Sequence, residues 1–164
     1  MNLGSLTFRP ITPEDMPFLY RVYASTRMEE LAPVPWPEQA KAAFLASQFS
    51  AQHNYYHQQF PDALYLVIMQ GETPVGRLYR EWRGENLHIL DIALLPEYRN
   101  HGIGTQIMQD LISEAAAKNC GVSIFVEVNN PARRWYDRLG FREFRLEGIY
   151  CYMERPSIST RLEY

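Results

Sequence analysis

Cysteine is nearly absent from this chain, with 2 residues in 164. Cys120 and Cys151 stand apart from any CxxC pair or Cys/His cluster, so neither a disulfide framework nor a metal site is expected. No run approaches the roughly 18 apolar residues that span a bilayer, and the first ten residues lack a basic segment followed by an apolar one. The expectation is a cytoplasmic chain with no membrane partner. An excess of one charge is missing too: 16 Lys and Arg against 19 Asp and Glu leave a net charge of −3. A general nucleic-acid binder needs a basic surface to displace counterions from phosphate, so no nucleic acid is expected as a partner. Linker-like stretches and internal repeats are also lacking, which points to one domain over residues 1–155 and a tail over 156–164.

What is present is an ordinary globular composition, 46% hydrophobic and 21% charged, with 11 Tyr, 8 Phe and 3 Trp. Those aromatics predict a heavy core or an aromatic-lined cleft. Leu6 to Arg9 reads as a strand, and Thr12, Pro13, Glu14 and Asp15 as a helix start with a Thr cap, Pro at the first position and acids in the first turn. That helix is expected to end near Ser25. After a proline-rich break, Glu38 to about His57 reads as a second helix with Ala40, Ala43, Phe44 and Ala51 near one face. Three strands follow, Leu64–Met69, Val75–Trp82 and Leu87–Leu95. Ile103, Ile107, Leu111 and Ala115 then mark an amphipathic helix over 102–118. A strand at Val122–Val128, a short helix at Pro131–Leu139 and two last strands complete an α/β order.

The segment Leu94-Leu95-Pro96-Glu97-Tyr98-Arg99-Asn100-His101-Gly102-Ile103-Gly104-Thr105 is the richest in chemistry. Two glycines stand where a strand passes through a turn into a helix, so backbone N–H groups and the positive end of the helix dipole converge there. Such a point suits phosphate, because a Cβ would hold a pyrophosphate away from the amides, and Arg99 and His101 add positive charge. A glycine-rich helix start with no ligand is the alternative. The spacing is neither GxGxxG nor GxxxxGK.

The segment resembles the pyrophosphate-binding signature of the GNAT acetyltransferase superfamily: Arg or Gln, two residues, Gly, any residue, Gly or Ala. Arg99, Gly102 and Gly104 match it, as do the preceding Ile92, Ala93 and Leu94. The stretch Asn129-Asn130-Pro131-Ala132-Arg133-Arg134-Trp135-Tyr136-Asp137-Arg138-Leu139-Gly140-Phe141 is similar to the superfamily's Asn, Ala, Tyr, Gly, Phe segment. The resemblance implies an α+β fold: a mixed, mostly antiparallel sheet of six to seven strands, splayed between strands 4 and 5 and flanked by about four helices.

It also implies an activity, transfer of an acetyl group from acetyl-CoA to a primary amine. Pantetheine would bond the backbone of Ile92, Ala93 and Leu94, where one amide polarises the acetyl carbonyl. The amides of Asn100, His101, Gly102, Ile103, Gly104 and Thr105 would take the pyrophosphate, and Asn129 or Asn130 would contact the coenzyme. Arg133, Arg134 and Arg138 are candidates for the adenosine-end phosphates, or else a solvated helix face. Tyr136 is the candidate general acid, with a core tyrosine as its alternative. For the base, His88 shares the side of Ile92 on its strand and has an unperturbed pKa near 6.5. Asp91 and Glu127 are the other candidates, and water could carry the proton instead.

For the acceptor, the resemblance points to the first two helices, where Glu29, Glu30, Trp36, His53, Tyr55, Tyr56 and His57 lie. Carboxylates beside aromatic rings suit a cationic amine, of a small molecule or a peptide; alternatively Tyr55, Tyr56 and Phe60 pack the second helix onto the sheet. Two competing functions remain at this stage, a non-catalytic acyl-CoA-binding module and a different nucleotide binder. A homodimer paired through the last strand and the tail is a further expectation, since an uncovered edge strand invites a partner.

Overall fold

Helix formation begins where the sequence places it. The Thr12 N–H donates to Asp15 Oδ2 at 2.8 Å, Pro13–Asp15 form a 3-10 turn, and helix α1 follows over Met16–Leu31. Arg9, on strand β1 (Leu6–Pro10), closes this corner with two 2.8 Å bonds to the Asp15 carboxylate. The Arg9 bonds are the main reason the Asp15 pKa falls to about 2. Helix α1 runs about a turn and a half beyond the expected end near Ser25. The hydroxyls of Ser25 and Thr26 donate 2.7 Å bonds to the carbonyls of Val22 and Tyr23, so residues that suggest a break are absorbed into the helix.

The computed structural model describes residues 5–157. The remaining elements are α2 (Glu38–Gln59), β2 (Leu64–Gln70), β3 (Thr73–Arg83), β4 (Asn86–Leu94), α3 (Ile103–Ala116), β5 (Gly121–Glu127), α4 (Arg133–Arg138), β6 (Arg142–Glu147) and β7 (Tyr150–Arg155). The seven strands form one open sheet in the order β1-β2-β3-β4-β5-β7-β6. β4 and β5 run parallel, pairing Asn86–Ile89 with Gly121–Ile124. The pairs β1/β2, β5/β7 and β6/β7 are antiparallel. This mixed, mostly antiparallel sheet with four helices is the expected α+β architecture.

Two compact units make up the chain. The first reaches to Leu78 and takes in Ile92–Ile103; the second comprises Tyr79–Asp91 and the chain from Gly104 onward. In the first, Leu19 and Tyr23 of α1 pack with Leu45 and Phe49 of α2, joined at the margin by Ile11, Met16 and Phe18. The buried face of α2 is thus set by Leu45 and Phe49, not by Ala40, Ala43, Phe44 and Ala51 as the sequence reading expects. Leu45 and Phe49, four positions apart, share the face that packs on α1, while Phe44 stays 40% exposed. In the second unit the buried set includes Leu87, Ile89, Ile107, Met108, Leu111, Ile124, Val126 and Met153. Here Arg80 of β3 makes a two-pronged ion pair with Glu114 of α3, one prong at 2.8 Å. Residues 158–164, most of the tail expected to pair across a two-fold axis, lie outside the described residues.

Candidate functional site

In the first unit, chemistry gathers at the end of β4 and the loop after it. Gly76 on β3 lies so close to this end that a Cβ built there would collide with the Ala93 carbonyl oxygen and stand 2.9 Å from Leu94 Cδ2. One residue on, the Leu95 N–H donates to the Val75 carbonyl at 2.9 Å. A 3-10 turn at Pro96–Tyr98 then leads into the glycine loop.

Asn100 and Gly102 both take left-handed backbone, with φ of 64° and 82°. Asn and Gly are the residue types that tolerate this conformation. Asn100, His101 and Gly102 are all exposed, and among the described residues their amides donate to no protein group. Successive amides in such a turn form a concavity for an anion. Ile103 then opens α3, where the first N–H groups of any helix lack a partner within it.

Arg99 departs from the simplest expectation. Its Nε donates to the Leu94 carbonyl at 3.0 Å and one terminal nitrogen to Ser25 Oγ at 3.3 Å. The guanidinium therefore fastens the loop to the end of β4 and to α1. An arginine in a phosphate motif can brace the loop and leave the anion to the amides.

A cavity of about 700 Å³ lies between α1, α2 and the segment Leu95–Glu97. Met28, Leu31, Leu45 and Leu95 give it an apolar lining, and the carboxylates it carries are Glu38 and Glu97. Glu29 and Glu30, the acids expected on the acceptor side, are not in this lining, and Glu30 pairs with Arg27 at 3.3 Å. Farther along α2, the His57 ring stacks on Tyr65 at 4.0 Å and on His53 at 4.3 Å. Tyr55, Tyr56 and Phe60 pack against one another at 6.2–6.3 Å.

In the second unit, Tyr136 of α4 is 5% exposed. Its ring packs on Trp135 at 4.9 Å and edge-on to Phe141 at 5.5 Å. Burial, and after it the negative charge of Asp91, push the Tyr136 pKa upward. The phenol is therefore protonated throughout the neutral range and can serve as a donor.

His88 takes a different position from the one its sequence context suggests. It is 2% exposed, its Nδ1 lies 2.8 Å from Ser123 Oγ, and Phe125 and Tyr152 flank the ring. Burial, and then the charge of Arg83, push its pKa down to about 3. The imidazole is thus held neutral in the core, its pKa below the value near 6.5 of an unperturbed histidine.

Arg133 is likewise occupied. It donates to the Val128 carbonyl at 2.9 Å and pairs with Glu143 at 2.7 Å, which ties the start of α4 to β5 and β6. Asn130 Oδ1 accepts the Ala132 N–H at 2.9 Å, a local turn that sets up α4. Asn129, Arg134 and Arg138 are exposed. Glu127, at the end of β5, pairs in register with Tyr150. No group of three or more potential metal ligands occurs among the described residues, and none of their helices is long and apolar enough to cross a membrane.

Sequence reasoning missed two positions. Trp135 holds the first turn of α3, its indole N–H donating to Thr105 Oγ1 at 3.1 Å and its ring edge standing 3.6 Å from where a Gly104 Cβ would be. Gly76 is the other, and its signal was a glycine inside an otherwise regular strand pattern.

Comparison with known proteins bears on both units. The model of the acetyltransferase (GNAT) family matches residues 19–141. The thialysine N-epsilon-acetyltransferase of Bos taurus is 32% identical over 77 residues, covering 45% of this chain and 45% of that protein. An N-alpha-acetyltransferase of Sulfurisphaera tokodaii is 29% identical over 103 residues, covering 54% of this chain and 61% of that protein. The chain thus spans about half the length of the curated relatives it matches. Among solved structures, the PaiA N-acetyltransferase of Thermoplasma acidophilum in complex with coenzyme A is similar with a TM-score of 0.69 at 20% identity, covering 93% of this chain and 99% of that one. An acetyltransferase of Thermus thermophilus gives 0.68 at 21% identity, covering 95% and 99%. At these identities the structural likeness is one of fold.

Proposed function

The chain belongs to the acetyltransferase (GNAT) family, and from that premise we propose that it transfers an acetyl group from acetyl-CoA directly to a primary amine of a small molecule or a peptide. The observation that carries this reading is the exposed, left-handed turn at Asn100–Gly102 at the start of α3, whose amides have no acceptor among the described residues. A second feature concerns the donor arm: Gly76 lets the Ala93–Leu94 backbone of β4 approach β3 more closely than any side chain would allow.

In the proposed reaction the amides from Asn100 to Thr105 hold the pyrophosphate, and Ile92, Ala93 and Leu94 bond the pantetheine arm through their backbone. Acetyl-CoA supplies an activated thioester. An amide on β4 stabilises negative charge as it develops on the carbonyl oxygen. A C–N bond forms to the amine as the C–S bond breaks, the Tyr136 hydroxyl gives its proton to the departing sulfur, and the amine proton leaves to Glu127, Asp91 or water. The proposed route leaves His88 out, because burial lowers its pKa.

The two named relatives differ in acceptor, one acting on thialysine and the other on an alpha-amine, so the amine class is common to both readings. Thermal shift with acetyl-CoA, followed by thiol release over an amine panel, tests the proposal. Stabilisation by acetyl-CoA together with amine-dependent thiol release is expected. Stabilisation without release from any amine would mark a silent acyl-CoA-binding module, and stabilisation by ATP or NAD but not coenzyme A would overturn the reading.

A further inference from the structure

Glycine inside a strand costs backbone entropy and offers nothing to pack, so its presence there signals either an unusual φ or a close backbone approach. Gly76 is not among the glycines with positive φ, which are Gly71, Gly84, Gly102, Gly140 and Gly148. Close approach is therefore the reason. A Cβ at this position would run into the Ala93 carbonyl oxygen, with Leu94 Cδ2 at 2.9 Å and Leu94 Cα at 3.1 Å. In a regular pleat a Cβ points out of the sheet plane while carbonyls lie within it. The Ala93 carbonyl has thus turned out of the plane to occupy the space a side chain would fill. No peptide among the described residues is cis. In a trans peptide the C=O and the following N–H point in opposite directions, so the turned Ala93 carbonyl aims the Leu94 N–H away from Gly76.

We propose that Gly76 is a positioning residue: by admitting the Ala93 carbonyl, it directs the Leu94 amide toward the thioester arm of the donor. The proposal rests on the acetyl-transfer reading above. Two further contacts fix the following peptide, Leu94–Leu95: the 2.9 Å bond from the Leu95 N–H to the Val75 carbonyl and the 3.0 Å bond from Arg99 Nε to the Leu94 carbonyl. With these anchors in place, an added methyl at position 76 presses directly on the Ala93–Leu94 peptide and should rotate it. The glycine loop at Asn100–Gly102 is not touched by that rotation. Gly76 should therefore govern binding of the pantetheine arm and not binding of the nucleotide end.

The test compares two ligands by titration calorimetry: coenzyme A, and 3′-phosphoadenosine 5′-diphosphate, which is its nucleotide end without pantetheine. Gly76→Ala should weaken coenzyme A about tenfold, the worth of one hydrogen bond, and change the affinity for the nucleotide end by less than about twofold. Adding Leu94→Ala to Gly76→Ala removes the contacted methyl but leaves the carbonyl collision, and should not restore binding. In the wild-type protein the Leu94 amide resonance should move on adding coenzyme A and stay fixed with the nucleotide end. That arm can still overturn the proposal if Gly76→Ala fails to fold. Equal weakening of both ligands, or full rescue by Leu94→Ala, would overturn the positioning role, as would a stationary Leu94 amide while coenzyme A binds. A wild-type protein that binds neither ligand would instead refute the acetyl-transfer reading itself.

Discussion

Removing the Tyr136 hydroxyl separates chemistry from architecture. The ring of Tyr136 is fixed by Trp135 and Phe141 at 4.9 and 5.5 Å, contacts a phenylalanine keeps. Among the described residues the hydroxyl bonds to no protein group, so its loss leaves no partner stranded. Tyr136→Phe should therefore change stability by less than about 0.5 kcal/mol. The catalytic effect is of another size. A positioned general acid contributes roughly 10²–10⁴-fold, so kcat should fall at least about 100-fold, or about 2.7 kcal/mol of barrier, with the Kd for coenzyme A nearly unchanged. Burial and Asp91 both raise the phenol pKa, so in the wild type the activity that depends on the protonated phenol should persist to higher pH than an ordinary tyrosine would allow. Asp91→Asn removes one of the two causes and should move that alkaline limb down. Steady-state kinetics of thiol release from pH 6 to 11, with melting curves on the same samples, provides the assay. If Tyr136→Phe keeps kcat within about twofold of wild type, Tyr136 is a core residue and the proton reaches the sulfur by another route.

Three other outcomes follow from the same structure. His88, with a folded pKa of about 3, should show a C2-proton resonance that is flat from pH 8 to 5; a midpoint near 6.5 would refute its burial as a neutral group. Because the unfolded chain protonates this imidazole first, its contribution to stability is full above the unfolded value near 6.5 and is lost as pH falls from there toward 3. Asp15 has the sign of a paired carboxylate. Its contribution is full above its unfolded pKa of about 4 and disappears as pH falls through 2, and Asp15→Asn should cost about 1–3 kcal/mol in denaturant unfolding at pH 7. Gly104→Ala meets only an ordinary 3.6 Å contact with Trp135, so the melting temperature should hold or rise while coenzyme A binding weakens about tenfold as the added methyl crowds the phosphate site. Unchanged affinity would remove Gly104 from that site.

Elements governed by near neighbours in sequence were the legible ones. The Thr12–Asp15 corner, the fourfold apolar spacing of α3 and the strand, turn and helix around Gly102 all depend on residues within a few positions of one another. Helix α1 outran its expected end because hydroxyl back-bonding at Ser25 and Thr26 is invisible to a propensity argument. The site residues divide in the same way. Arg99 is expected from the sequence to belong to a phosphate motif, but its attachment to Ser25 spans 74 positions, and no local pattern announces it. The His88–Ser123 contact spans 35 positions, and only that contact together with burial turns a candidate base into a core group.

The contrast between Arg99 and Gly76 shows how such a motif is to be read. Arginine beside a glycine loop invites an assignment by charge, yet its guanidinium is engaged with a backbone carbonyl and a serine. The amides of Asn100–Gly102, whose existence requires no particular side chain, are what remain exposed for the anion. Gly76, which offers no functional group at all, has no room for a methyl, and in the proposed reading it sets the direction of an amide. In that reading backbone groups carry both recognition tasks, and the side chains of the motif brace them. On that logic Arg99→Lys, which can donate to only one of the two partners in the same geometry, should loosen the loop and weaken pyrophosphate binding without a change in the charge of the site. Charge alone would predict equal binding by the two proteins, so a side-by-side titration with 3′-phosphoadenosine 5′-diphosphate separates a bracing arginine from a phosphate ligand.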